Sequence, residues 1–152
     1  MAADHSFIWH DGLLVGHPDI DDEHRQVVVL IRALRETPAG GLAEVMEALL
    51  RLAQAHFGHE DRLMEERDFP PRKCHIGEHA AVLASMSAVK ARLERGDIAV
   101  VRRLADELER WFPAHVQHLD SALAHWIWKQ AAGAKPLVFR RGAVTASAVV
   151  PA

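Results

Sequence analysis

Apolar residues recur along this chain at spacings of three and four over four long stretches, the period of helices that bury one face. The pattern predicts helices over residues 19–36, 41–67, 71–95 and 98–130. The first stops at the run TPAGG, and the second at DFPP, where two prolines forbid continuation. Pro71 suits the first turn of the third helix, Gly96 its C-cap, and Asp97 the N-cap of the fourth. Connections this short make successive helices antiparallel. The expected fold class is therefore all-α, an up-down-up-down antiparallel four-helix bundle. No strand pattern competes, and no internal repeat is present. An irregular N-terminal arm over 1–18 carries Phe7, Ile8 and Trp9. The bundle with this arm is expected to form one domain over 1–131, followed by a short C-terminal tail over 132–152 that lacks helical periodicity.

Polar residues interrupt every seam. The first reads Ile20, His24, Val27, Ile31, Leu34. The second reads Leu42, Val45, Leu49, Leu52, His56, Glu60, Leu63, and the third His75, His79, Val82, Met86, Val89, Leu93. The fourth reads Leu104, Leu108, Trp111, His115, Leu119, Ala122, Trp126, with Asp120 one step off it. In an antiparallel bundle, His24, His56, Glu60, His75, His79, His115 and Asp120 fall at one end, within a slab about one or two helical turns thick.

Burying such groups without partners costs several kcal/mol each. A metal removes that cost, because neutral imidazole and carboxylate become ligands. His56 with Glu60, and His75 with His79, are four apart and can reach one centre. The whole set exceeds one tetrahedral zinc and suits two metals with bridging carboxylates. Imidazole-rich ligation favours iron, copper or zinc over magnesium or calcium. His115 and Asp120 are five apart, about 140° on a regular helix. Pro113 cannot donate to the carbonyl of Glu109, so a kink or π-type bulge is expected to turn Asp120 inward.

Composition narrows the alternatives. A chain of 152 residues with a formal net charge of -3 and no basic stripe does not read as a nucleic-acid binder. A single cysteine excludes an internal disulfide and a cysteine-rich zinc site. The N-terminus lacks the apolar run of a signal peptide, and the VVVLI of residues 27–31 is too short for a membrane span. No membrane insertion and a cytoplasmic location are the expectations. Histidine is abundant, at eleven residues, and tyrosine is absent.

The stretches FIWHDGLLVGHPDIDDEH, HFGHE, HIGEH and WFPAHVQHLD together resemble the hemerythrin family, specifically its single-domain bacterial members, across residues 7–128. The resemblance implies a non-haem di-iron centre with a bridging oxo or hydroxo group that binds dioxygen reversibly, as a carrier, store or buffer. It assigns His75, His79 and His115 to one iron, His24 and His56 to the other, and Glu60 and Asp120 as bridges. By matching position, Phe57, Trp111, Phe112 and Val116 would line the oxygen pocket. The chain departs from many members at Phe112-Pro113. The implied partners are dioxygen and an oxygen-consuming protein that receives it.

This reading describes a binding protein rather than an enzyme. Oxygen or nitric oxide sensing, or slow redox chemistry at the same irons, is the alternative. Ferritin-like oxidases pair Glu-x2-His on two helices, a spacing absent here, and no tyrosine is available to hold a radical. A zinc hydrolase of the His-Glu-x2-His type is excluded because His59-Glu60 leads to Leu63. Most of the remaining histidines, at 5, 10, 17, 59, 118 and 125, read as surface residues, with a place near the pocket mouth as the alternative for His118 or His125. Cys74 reads as an inert thiol, Trp9, Trp126 and Trp128 as packing, and the acidic DIDDEH as a solvated first turn.

Overall fold

The computed structural model describes residues 7–133. Helix α1 spans Pro18–Glu36, α2 Leu42–Glu66, α3 Arg72–Leu93, α4 Ile98–His115 and α5 Ser121–Ala131. A single π-turn over Val116–Asp120 joins α4 to α5, so the two run on as one long fourth helix. α1 packs on α2 and α4, and α3 packs on the same two, which closes the four-helix bundle. The expected fold is therefore present. Residues 1–6 of the arm, and the tail from 134 onward, lie outside the described residues.

The helix ends follow local chemistry. Pro18 stands in the first turn of α1, and the ring of His17 caps it by accepting from the Ile20 amide. Gly96 takes φ +88°, a left-handed conformation that side chains resist, and closes α3. Asp97 then caps α4 by accepting from the Val100 amide at 3.1 Å. The far end of α1 is held from another helix: Arg102 donates to the carbonyls of Leu34, Arg35 and Thr37, each at 2.7 Å.

The bundle has one continuous core of Leu, Ile, Val, Met and Phe, with Phe7, Trp9 and Val15 of the arm packed against it. A smaller cluster of Met64, Phe69 and Leu123 closes the other end, with Ile76, Trp126 and Ile127 around it. The ionisable residues lie between the two. Trp126 packs here and donates to the Arg67 carbonyl, but Trp128 is exposed, beside His125, rather than packed.

The DIDDEH turn is not uniformly solvated. Asp21 is buried, and its two oxygens accept from the amides of Val15 at 2.8 Å and Gly16 at 3.1 Å. Gly16 sits at φ +85°, which bends the chain back onto that carboxylate. Asp21 thus fixes the end of the arm at the start of α1.

Candidate metal centre

Seven side chains converge inside the bundle: His24 from α1, His56 and Glu60 from α2, His75 and His79 from α3, His115 from α4, and Asp120 from the π-turn. All are buried, none more than 3% exposed. The π-turn explains how the last pair meets. One extra residue per turn lets His115 and Asp120 face the same way despite their spacing of five, and brings His115 Nε2 to 3.0 Å from Asp120 Oδ1. The disturbance expected near Pro113 is thus real but lies just downstream: α4 runs through Pro113 and changes character at Val116.

The carboxylate oxygens divide the imidazoles into two sets. Glu60 Oε1 lies 3.6 Å from His24 Nε2 and 3.3 Å from His56 Nε2. Its partner Oε2 lies 3.2 Å from His79 Nε2 and 3.8 Å from His75 Nε2. Asp120 repeats the pattern, with Oδ2 3.0 Å from His24 and Oδ1 2.9 Å from His75. Two groups result, one of Glu60, His75, His79, His115 and Asp120 and one of His24, His56, Glu60 and Asp120, each with its ligand atoms within 4.8 Å of one another. Two atoms adjacent on an octahedral ion with bonds of ~2.1 Å stand ~3 Å apart. Four of these six separations, from 2.9 to 3.3 Å, lie near that edge length, and the two longest are 3.6 and 3.8 Å.

All four oxygens of Glu60 and Asp120, and Nε2 of His24 and His56, are buried without a hydrogen-bond partner among the described residues. Groups left so are costly unless a cation satisfies them. The electrostatics agree. Burial opposes charge on His24, yet Asp120 and Glu60 outweigh it and push its pKa up to about 9. Burial also presses the Glu60 and Asp120 carboxyls up, but the surrounding imidazoles hold both down, Asp120 well below its usual range. Both therefore stay ionised, and the cavity attracts positive charge at its middle. The donor set of imidazoles and carboxylates fits a metal of the iron, copper or zinc type.

Behind the imidazoles stands a ring of carboxylates that sequence reasoning missed. Glu23 accepts from His56 Nδ1 at 2.5 Å, Asp61 from His79 Nδ1 at 2.7 Å, and Glu78 meets His115 Nδ1 at 3.2 Å. Each is adjacent in sequence to one member of the cluster and serves a different one across the bundle. Glu23 precedes His24 but serves His56 on α2; Asp61 follows Glu60 but serves His79 on α3; Glu78 precedes His79 but serves His115 on α4. Such bonds fix the ring tautomer so that Nε2 presents its lone pair to the centre. Trp111 adds a bond, donating to Glu78 at 2.6 Å. His59 is half-buried rather than freely solvated, and its Nδ1 bonds Glu23 at 2.9 Å. Burial raises the Glu23 carboxyl, but the two histidines outweigh it and leave its pKa below the usual value.

The four residues of the expected pocket all flank the cluster in space or sequence. Phe57 stacks flat on His79 at 4.1 Å, and Phe112 meets His24 edge-on at 5.3 Å. Trp111 lies over His115 at 4.3 Å, on the three-imidazole side, and Val116 is buried beside His115 in sequence.

The sequence pattern of the Hemerythrin HHE cation binding domain matches residues 15–127, a span that contains the whole cluster. The chain belongs to the hemerythrin family. It is 34% identical over 119 residues to a bacteriohemerythrin of Ralstonia nicotianae, covering 78% of this chain and 87% of that protein. A bacteriohemerythrin of Pseudomonas aeruginosa is 29% identical over 118 residues, 75% of this chain and 76% of its own length. A myohemerythrin of Riftia pachyptila is 23% identical over 114 residues, 75% of this chain and 88% of that one. Among the described residues of this hemerythrin-family chain, no helix is long and apolar enough to cross a membrane.

Proposed function

We propose that this chain is a reversible dioxygen-binding protein, a carrier, store or buffer rather than an enzyme, built around two non-haem irons. His75, His79 and His115 hold one iron and His24 and His56 the other, with Glu60, Asp120 and a solvent-derived oxo or hydroxo group as bridges. One observation supports this reading above the rest: each of the two carboxylates turns one oxygen to the two-imidazole set and the other to the three-imidazole set. A single metal has no use for that division, whereas bridging two metals requires it. The unequal sets leave one metal with fewer protein ligands, and so with room for a small molecule.

When bound, the two irons supply the electrons that dioxygen takes up on binding. The chain's own residues do the rest. The ring of carboxylates holds the imidazoles in one tautomer. Phe112 against His24 and Phe57 against His56 make an apolar wall that excludes water from the two-imidazole side. That wall supplies shape and dryness, not an acid or base. Iron analysis of the purified chain tests the metal count. Two irons per chain, falling in Glu60→Ala and Asp120→Ala, are expected; one iron in the wild type contradicts the bridged pair.

A further inference from the structure

The two metal positions are unequal in their support as well as in their ligands. On the three-imidazole side, His79 is braced by Asp61 and His115 by Glu78, while His75 Nδ1 has no hydrogen-bond partner among the described residues. On the two-imidazole side, His24 Nδ1 is buried without a partner among the described residues, which leave His56 as the one braced imidazole there. Its brace among the described residues is Glu23.

Glu23 is itself held firmly. One oxygen takes His56 Nδ1 at 2.5 Å, and the other takes His59 Nδ1 at 2.9 Å. His56 and His59 stand three apart on α2, and Glu23 stands on α1 beside His24. One carboxylate therefore clamps two successive positions of α2 to the helix that carries the other imidazole of the pair. His59 is no member of the cluster. Its bond occupies the second oxygen of Glu23 and leaves the carboxylate a single orientation.

We infer that Glu23 is the positioning residue that retains the metal between His24 and His56, and that its loss empties this position while the other stays filled. The inference rests on the di-metal reading. A metal-bound imidazole that loses its outer hydrogen bond typically costs ~10–100-fold in metal affinity. On the three-imidazole side, losing Asp61 leaves His115 braced. On the two-imidazole side, losing Glu23 leaves no brace.

The test loads the full chain with ferrous iron anaerobically, challenges it with graded amounts of a ferrous chelator, and counts the iron retained. Glu23→Ala is expected to shed one of its two irons at ~10–100-fold lower chelator than the wild type, with its far-ultraviolet circular dichroism unchanged. Glu23→Gln, whose carbonyl still accepts from His56 Nδ1, stays close to the wild type. Asp61→Ala, which removes the brace of His79, and His59→Ala keep both irons at that chelator level. Should the alanine variant unfold, Glu23→Ser carries the same comparison. A Glu23→Ala chain that holds both irons as tightly as the wild type overturns the inference alone, as does an Asp61→Ala chain that sheds iron equally readily. A wild-type chain that never holds two metals overturns the di-metal reading and this inference with it.

Discussion

His115 and Asp120 are five residues apart, yet His115 Nε2 stands 3.0 Å from Asp120 Oδ1. A regular helix would point them about 140° apart. The π-turn over Val116–Asp120 absorbs the difference, and it shifts the buried face of everything that follows by one position. Leu123 and Ala124 are buried in α5, whereas Ala122, which the heptad-like seam puts inside, is exposed.

That shift makes a direct prediction about stability. Leu123→Ala should cost about 3 kcal/mol, the penalty of a cavity in a closed core, and Leu119→Ala should cost about 1 kcal/mol. Ala122→Lys should fold normally. Chemical denaturation of the three variants measures this. A larger cost at Leu119 than at Leu123 would mean that the helix keeps its α register past His115.

Arg102 binds the end of α1 to α4 through three backbone carbonyls. The guanidinium can reach all three because its donors diverge in a plane, which an ammonium cannot reproduce. Arg102→Ala should therefore destabilise the fold by about 2 kcal/mol, and Arg102→Lys should recover less than half of that. Equal stability of the lysine variant and the wild type would assign the effect to charge alone.

The Asp97 cap gives a pH dependence of known sign. Its bond from the Val100 amide, helped by Arg92, lowers its carboxyl pKa below the ordinary 3.8. A depressed carboxyl contributes stability that is present above the unfolded value and is lost as pH falls through the folded one. Asp97→Ala should melt below the wild type at neutral pH, and the gap should close as the pH drops below about 3.8. A gap that persists at lower pH would show that the carboxylate is not what caps α4.

The fold was legible because its punctuation is strong. The breaks at TPAGG, DFPP and Gly96-Asp97 lie within about two residues of the observed helix ends, and every residue read into the α1 seam is buried. The α2 face is centred one residue later than read: Met46, Leu50, Ala53, Phe57 and Met64 are buried, while Val45, Leu52 and Leu63 are half-buried. α3 buries His75, His79 and Met86 and exposes Ala80, Ala81, Ala84 and Ala88, so apolar and polar faces barely differ in composition. The cluster was legible because its members interrupt apolar seams, where a charge has no business without a partner.

The bracing carboxylates were not legible for the opposite reason. Glu23, Asp61 and Glu78 look like ordinary solvated helix positions, and each is partly exposed. Their common signal is local: an acidic residue directly beside a cluster member, in DDEH, HED and GEH. Only the packing of neighbouring helices shows that each serves a different histidine. Asp21 escaped for a related reason, since the amides that hold it belong to the irregular arm.

Reversible dioxygen uptake is tested most directly by the visible absorption of the iron-loaded chain, cycled between argon and oxygen. Two irons per chain, with bands that appear in oxygen, vanish under argon and return in full over repeated cycles, are the predicted result. Bands that form once and never recede would contradict reversible binding and leave sensing or redox chemistry at the same residues as the function.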